Sequence, residues 1–150
     1  MPKNAIRGLV AVAAVLVGLS GSVAGAAELK VMSAMELQAA LQELAPAFEK
    51  KSGHKLKIEY GTSAQVEDKV GKDAELDVAL LNKAQADKLV SKAKLVGGTA
   101  MTLGKMNPDL IIVAASPTVS DQPLPAKAFI DFLGTPEAKA VLKAKGVEPG

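Results

Sequence analysis

Apolar side chains recur along this chain at two alternating periods, and the alternation predicts its architecture. Leu29 to Met32 is a short apolar-rich run with Lys30 on the other face, a strand. Behind it Leu37, Leu41, Leu44 and Phe48 recur at three and four residues, one apolar stripe on a helix over Ser33 to Lys51. Pro46 removes a backbone bond inside that helix and predicts a kink or break near Leu44, and Ser52-Gly53 ends it. Leu56, Ile58 and Tyr60 then alternate with Lys57 and Glu59, the two-residue period of a half-buried strand. Gly61-Thr62-Ser63 turns into a short helix over Ala64 to Val70. Leu76 to Leu81 is almost wholly apolar, as a strand covered on both faces must be, and Asn82 opens a helix to about Lys94.

Beyond Gly97-Gly98 the pattern weakens, and Thr99 to Met106 has only faint strand character. Leu110 to Ala115 is a buried strand, and the proline-rich stretch Ser116 to Pro125 is a loop or crossover. Ala126 to Leu133 and Pro136 to Lys145 are helical runs. The second has Thr135 at its cap, Pro136 in its first turn and Gly146 past its end. This order of elements predicts an α/β fold: a mainly parallel sheet with flanking helices.

The N-terminal stretch departs from both periods. Lys3 and Arg7 precede a charge-free apolar run, Leu9 to Leu19, and small residues follow to Ala24-Gly25-Ala26. That order is the signature of a secretory signal peptide, with residues 1–26 removed and the exported protein starting at Ala27. The apolar run is shorter than the roughly 20 residues a spanning helix needs. Residues 27–150 then form one domain, large enough for a core.

The leader also changes the meaning of the charge. The whole chain carries 18 basic and 16 acidic side chains. Lys3 and Arg7 belong to the leader, so the exported part is formally neutral, and no basic stripe with interleaved aromatics marks a nucleic-acid surface. With no cysteine, neither disulfide nor thiolate chemistry is open. The aromatics are Phe48, Tyr60, Phe129 and Phe132, too few for a stacking platform. His54, the only histidine, reads as a solvated turn residue beside Gly53. Asp68, Asp73 and Glu75 interleave with Lys69 and Lys72 as a solvated face, and Asp77 reads as a structural residue opening a strand. Gly97 to Lys105 lacks the spacing of a phosphate loop. Neither a metal, a cofactor nor an enzymatic centre is indicated.

Two helix starts carry the remaining chemistry. Ser33-Ala34-Met35-Glu36 and Thr62-Ser63-Ala64-Gln65 each follow a strand, and each has the spacing of a capping box. In a parallel sheet both starts lie at the carboxyl edge of adjacent strands, where ligands usually bind. Free amides, the helix dipole and the hydroxyls of Ser33, Thr62 and Ser63 together suit a small anion.

An ordered set of segments resembles a known family. Leu29-Lys30-Val31-Met32-Ser33-Ala34 is followed by Leu44-Ala45-Pro46-Ala47-Phe48-Glu49-Lys50, then Gly53-His54-Lys55, Tyr60-Gly61-Thr62-Ser63 and Ala74-Glu75-Leu76-Asp77-Val78. Near the end come Ala128-Phe129-Ile130-Asp131-Phe132-Leu133, Thr135-Pro136-Glu137-Ala138 and Leu142-Lys143-Ala144-Lys145-Gly146. Together they resemble the periplasmic substrate-binding proteins of ABC transporters, most closely the molybdate-type subgroup. The resemblance implies a periplasmic or secreted two-lobed clamp that delivers a small-molecule anion to an ABC-transporter permease in the inner membrane. It implies that loop hydroxyls hold a tetrahedral oxyanion, with Ser63 matching the second-loop serine.

The chain departs from that pattern twice. The first-loop serine falls at Glu36. Either Ser33 substitutes for it, or Glu36 only completes a capping box, or the ligand is not an oxyanion. The second lobe is expected between the strand near Leu110 and the final helices, where Ser116 to Pro125 is too short to hold one. The chain therefore reads as a single lobe, to which a homodimer could restore the missing wall. The alternative is a folded remnant or interaction module without solute capture.

Overall fold

The first three strands, connected through helices, pair in parallel here, and the last two, joined by a tight turn, pair antiparallel. The computed structural model describes residues 26–107 and 109–149; the leader reading, apart from Ala26, lies outside the described residues. The strands are β1 (Glu28–Ala34), β2 (Lys55–Gly61), β3 (Val78–Asn82), β4 (Met101–Met106) and β5 (Leu110–Ala115). They form one sheet in the order β2-β1-β3-β5-β4. β1 is parallel to β2 and β3, whereas β5 is antiparallel to both β3 and β4. Four strands thus share one direction, as expected, and the reversed β5 makes the sheet mixed.

Helices cover both faces. α1 (Gln38–Ser52), α4 (Pro123–Leu133) and α5 (Pro136–Ala144) pack on one side; α2 (Ser63–Gly71) and α3 (Lys83–Ser91) pack on the other. β3 shows why its sequence is apolar throughout: Val78 and Leu80 enter the first core, Ala79 and Leu81 the second, and all four are fully buried. No helix among the described residues is long and apolar enough to cross a membrane.

The prolines act differently from the sequence reading at two places. Pro46 does not break α1, which runs on to Ser52 and ends on Gly53 at φ 77°. The bond that Pro46 forfeits is one to the carbonyl of Gln42 on the solvent side, where water can replace it. α4 begins at Pro123 instead of Ala126, since a proline in the first turn forfeits only an orphan amide.

Asp77 is the structural residue expected. Its buried carboxylate receives the Lys30 amide at 2.9 Å and the Ser120 hydroxyl at 2.7 Å. Those bonds tie the Ser116–Gln122 crossover to the starts of β1 and β3, the amino edge of the sheet. The carboxyl edge, where α2 and α3 begin, receives instead the connection between β4 and β5, because Asn82 pairs with Ile112.

Candidate functional site

The register of β1 and β2 brings the two loops together. Ser33 is paired with Tyr60 and Ala34 with Gly61, so both chains leave the carboxyl edge side by side. The second loop forms the capping box its sequence promised: Thr62 Oγ1 accepts from the Gln65 amide at 3.2 Å, and Gln65 Oε1 accepts from the Thr62 amide at 2.9 Å. Gly61 makes room for it. A β-carbon there would lie 2.7 Å from Gln65 Oε1 and 2.8 Å from Met32 Cε. Gly61→Ala is therefore expected to push Gln65 off Thr62 and cost about 0.5–2 kcal/mol, read as a lowered melting midpoint.

The first loop corrects the sequence reading. Ser33 belongs to β1, is fully buried, and donates its hydroxyl to Ala34 O at 3.0 Å. Pairing with Tyr60 on one side and Leu80 on the other holds Ser33 in the sheet, so it caps nothing. The chain turns through a single 3-10 turn, Met35–Leu37, before α1, and no side chain caps either. Glu36 is exposed in that turn and Met35 is 56% exposed.

Thr62 and Ser63 thus meet at the edge, and Ser33 does not join them. Among the described residues, the Ser63 hydroxyl and the Ser63 and Ala64 amides donate to no protein acceptor. They are the unspent donors of a helix start, at the positive end of its dipole. Beside them Asn82 caps α3, its Oδ1 accepting from the Gln85 amide at 2.9 Å. Sequence reading missed Asp109, which joins Asn82 and Lys83 around a depression at this edge. The short connection between two strand-like runs was the signal for it, since only a hairpin can close so few residues.

Charges near α2 are largely paired. A hydrogen bond from Lys69 holds the Glu59 carboxyl below the usual range, and one from Lys88, at 2.5 Å, does the same for Glu67. Partial burial raises the Tyr60 hydroxyl. Glu36 has no ion pair among the described residues. His54 is not simply solvated: it is half-buried, stacks on Phe48 at 6.2 Å, and its Nδ1 accepts from the Ala27 amide at 3.0 Å. Asp68, Asp73 and Glu75 form exposed ion pairs with Lys72, Lys94 and Lys30, the solvated face expected. No cluster of three His, Cys, Asp or Glu among the described residues could hold a metal ion.

A family described as bacterial extracellular solute-binding protein matches residues 29–108, just over half of the chain. No curated protein matches. The substrate-binding domain of a putative molybdenum ABC transporter from Clostridium difficile superposes with a TM-score of 0.75 at 13% identity, covering 83% of this chain and 100% of that one. The periplasmic molybdate-binding protein of Azotobacter vinelandii gives 0.74 at 14% identity, covering 81% and 99%. Iron-bound HitA from Pseudomonas aeruginosa gives 0.63 at 12%, covering 78% and 84%. At such identities these likenesses speak to the fold, and they agree with the mixed sheet and its two helical layers.

Proposed function

Since this chain belongs to the bacterial extracellular solute-binding proteins, we propose that it is the exported solute receptor of an ABC transporter, taking a small oxyanion of the molybdate kind at the start of α2. The observation that carries this reading is the set of unspent donors there: the Ser63 hydroxyl and the Ser63 and Ala64 amides, at the carboxyl edge of a sheet whose fold matches two molybdate-system proteins. Thr62 completes the turn, because its hydroxyl hydrogen remains free while its oxygen accepts from Gln65. Ser33 drops out, since its hydroxyl is buried and donates to Ala34. Transport of this kind involves no bond-making, so no residue is assigned a catalytic role. The partner would be a permease in the inner membrane, and the place of work the periplasm, once the leader is removed.

One feature favours a second reading, a folded single lobe without capture. The exposed Glu36 carboxylate stands in the first loop, where it would repel an oxyanion over a few ångströms. An anion at this edge would also stay half open to water, whereas pockets bury most of a ligand.

Thermal melting in millimolar molybdate, tungstate, sulfate and phosphate separates the two. Anion at about a hundred times its dissociation constant adds about 2.7 kcal/mol and raises the midpoint by several degrees. Ser63→Ala is expected to weaken that binding more than about tenfold, since a charge-assisted hydrogen bond contributes about 1.5–3 kcal/mol. A cooperative melt indifferent to all four anions would decide for the remnant.

A further inference from the structure

The two edges of the sheet are treated differently. At β4 the C-terminal segment closes the edge, Lys105 and Glu148 exchanging backbone bonds of 2.7 and 2.8 Å. β2 has no such cover among the described residues. The Lys55 amide donates inward to Ala27 O at 2.8 Å, so the odd-numbered residues of β2 face β1, and Leu56, Ile58 and Tyr60 point their peptide groups outward. Only the Leu56 amide is occupied, by Glu49 Oε1 at 2.8 Å.

The side chains on this edge are also incompletely covered. Leu56, Ile58 and Tyr60 pack against the α1 side of the core but stay half-buried. Lys55, Lys57 and Glu59 stand exposed on the opposite face, because α2 lies mainly over β1 and β3. An open groove lined by Glu59, Gln65, Asp68 and Lys69 remains between β2 and α2.

We propose that this edge is a self-association surface, on which two copies pair β2 antiparallel about a two-fold axis at Ile58. Opposed residues in an antiparallel pair share a face, so the choice of register can be tested by charge. An axis at Lys57 would set lysine against lysine, and an axis at Glu59 would set glutamate against glutamate. The axis at Ile58 sets Lys57 against Glu59 of the partner subunit, twice by symmetry, and Leu56 against Tyr60 of the partner subunit. Lys57 of the partner subunit then enters the groove that Glu59 and Asp68 line. The outward peptide groups of Ile58 and Tyr60 gain partners. Glu49 yields the Leu56 amide and turns to Lys55, whose Nζ already lies 3.7 Å from its other oxygen. The pairing does not depend on any bound anion.

Sedimentation equilibrium of the purified protein, without added anion, tests it over about 1–100 μM, the range where a micromolar association shows. A monomer–dimer equilibrium is expected. Lys57→Glu, an exposed position, should weaken it by about tenfold or more while leaving in place the melting midpoint measured at dilutions where both proteins are monomeric, and adding Glu59→Lys should recover most of the loss. Slower hydrogen exchange at the Ile58 and Tyr60 amides with rising concentration is the second readout. A protein monomeric throughout, or a dimer indifferent to Lys57→Glu, overturns the proposal.

Discussion

Phe129→Ala is expected to remove about 3–5 kcal/mol of stability, the range for truncating a fully buried phenylalanine. Its ring is completely buried at the centre of α4. It meets the Phe48 ring of α1 edge-on at 5.0 Å, and Phe48 meets Phe132 at 5.5 Å. Three of the four aromatics thus form one cluster joining α1 to α4, a contact worth somewhat more than its buried area. The protein has no disulfide to fall back on. A domain of this size has about 5–15 kcal/mol in total, so the variant should lose a large part of its margin. In urea the midpoint should fall while the slope stays constant. A loss under about 1 kcal/mol would mean that α4 is not held by this cluster. The consequence reaches the site, because the α1–α4–α5 layer supports β1, whose carboxyl end sets the first loop beside the second.

Where the sequence could be read correctly, the governing interaction was local or strictly periodic. The two-residue period of Leu56, Ile58 and Tyr60 and the unbroken apolar run of β3 report which faces are covered, and both are as expected. The Thr62–Gln65 box formed because all its partners lie within one turn. The family resemblance rested on an ordered set of segments, and the matching family spans residues 29–108.

The failures share a cause as well. Ser33-x-x-Glu36 has the same spacing as the true box, yet Ser33 is claimed by two neighbouring strands, and no local rule reveals that β1 runs on to Ala34. His54 was read from its glycine neighbour, whereas its partners, Ala27 and Phe48, come from elsewhere in the chain. The edge on which each loop lies follows from strand direction. That is why the connection from Ser116 to Pro125, read as too short to hold the second lobe, begins at the amino edge, away from Thr62 and Ser63. A wall for an anion at the start of α2 would have to approach from the other end of the sheet.

Gly104→Ala tests how the closed edge is kept closed. Gly104 has φ 153°, a conformation that a side chain rarely adopts. Its β-carbon would stand 2.2 Å from the Glu148 carbonyl oxygen and 2.9 Å from Val147 Cγ1. The obstacle is mainly backbone, so it cannot swing aside as a long side chain could; the C-terminal segment must leave β4. Its departure forfeits both bonds between Lys105 and Glu148 and exposes Val147, which is fully buried. Two hydrogen bonds at about 0.5–1.5 kcal/mol each and a valine at about 1.5–3 kcal/mol set the expected loss at about 2.5–6 kcal/mol. Gly71→Ala is the control, since nothing lies within 4 Å of its β-carbon and α2 should tolerate it. A second effect separates this variant from an ordinary core defect. Freeing β4 creates another bare strand edge, and such edges recruit strands from other chains. Gly104→Ala should therefore associate beyond the dimer as concentration rises, and Phe129→Ala, which leaves β4 covered, should not. If both variants lose stability and neither assembles further, the C-terminal segment contributes packing alone, and edge protection is not its role.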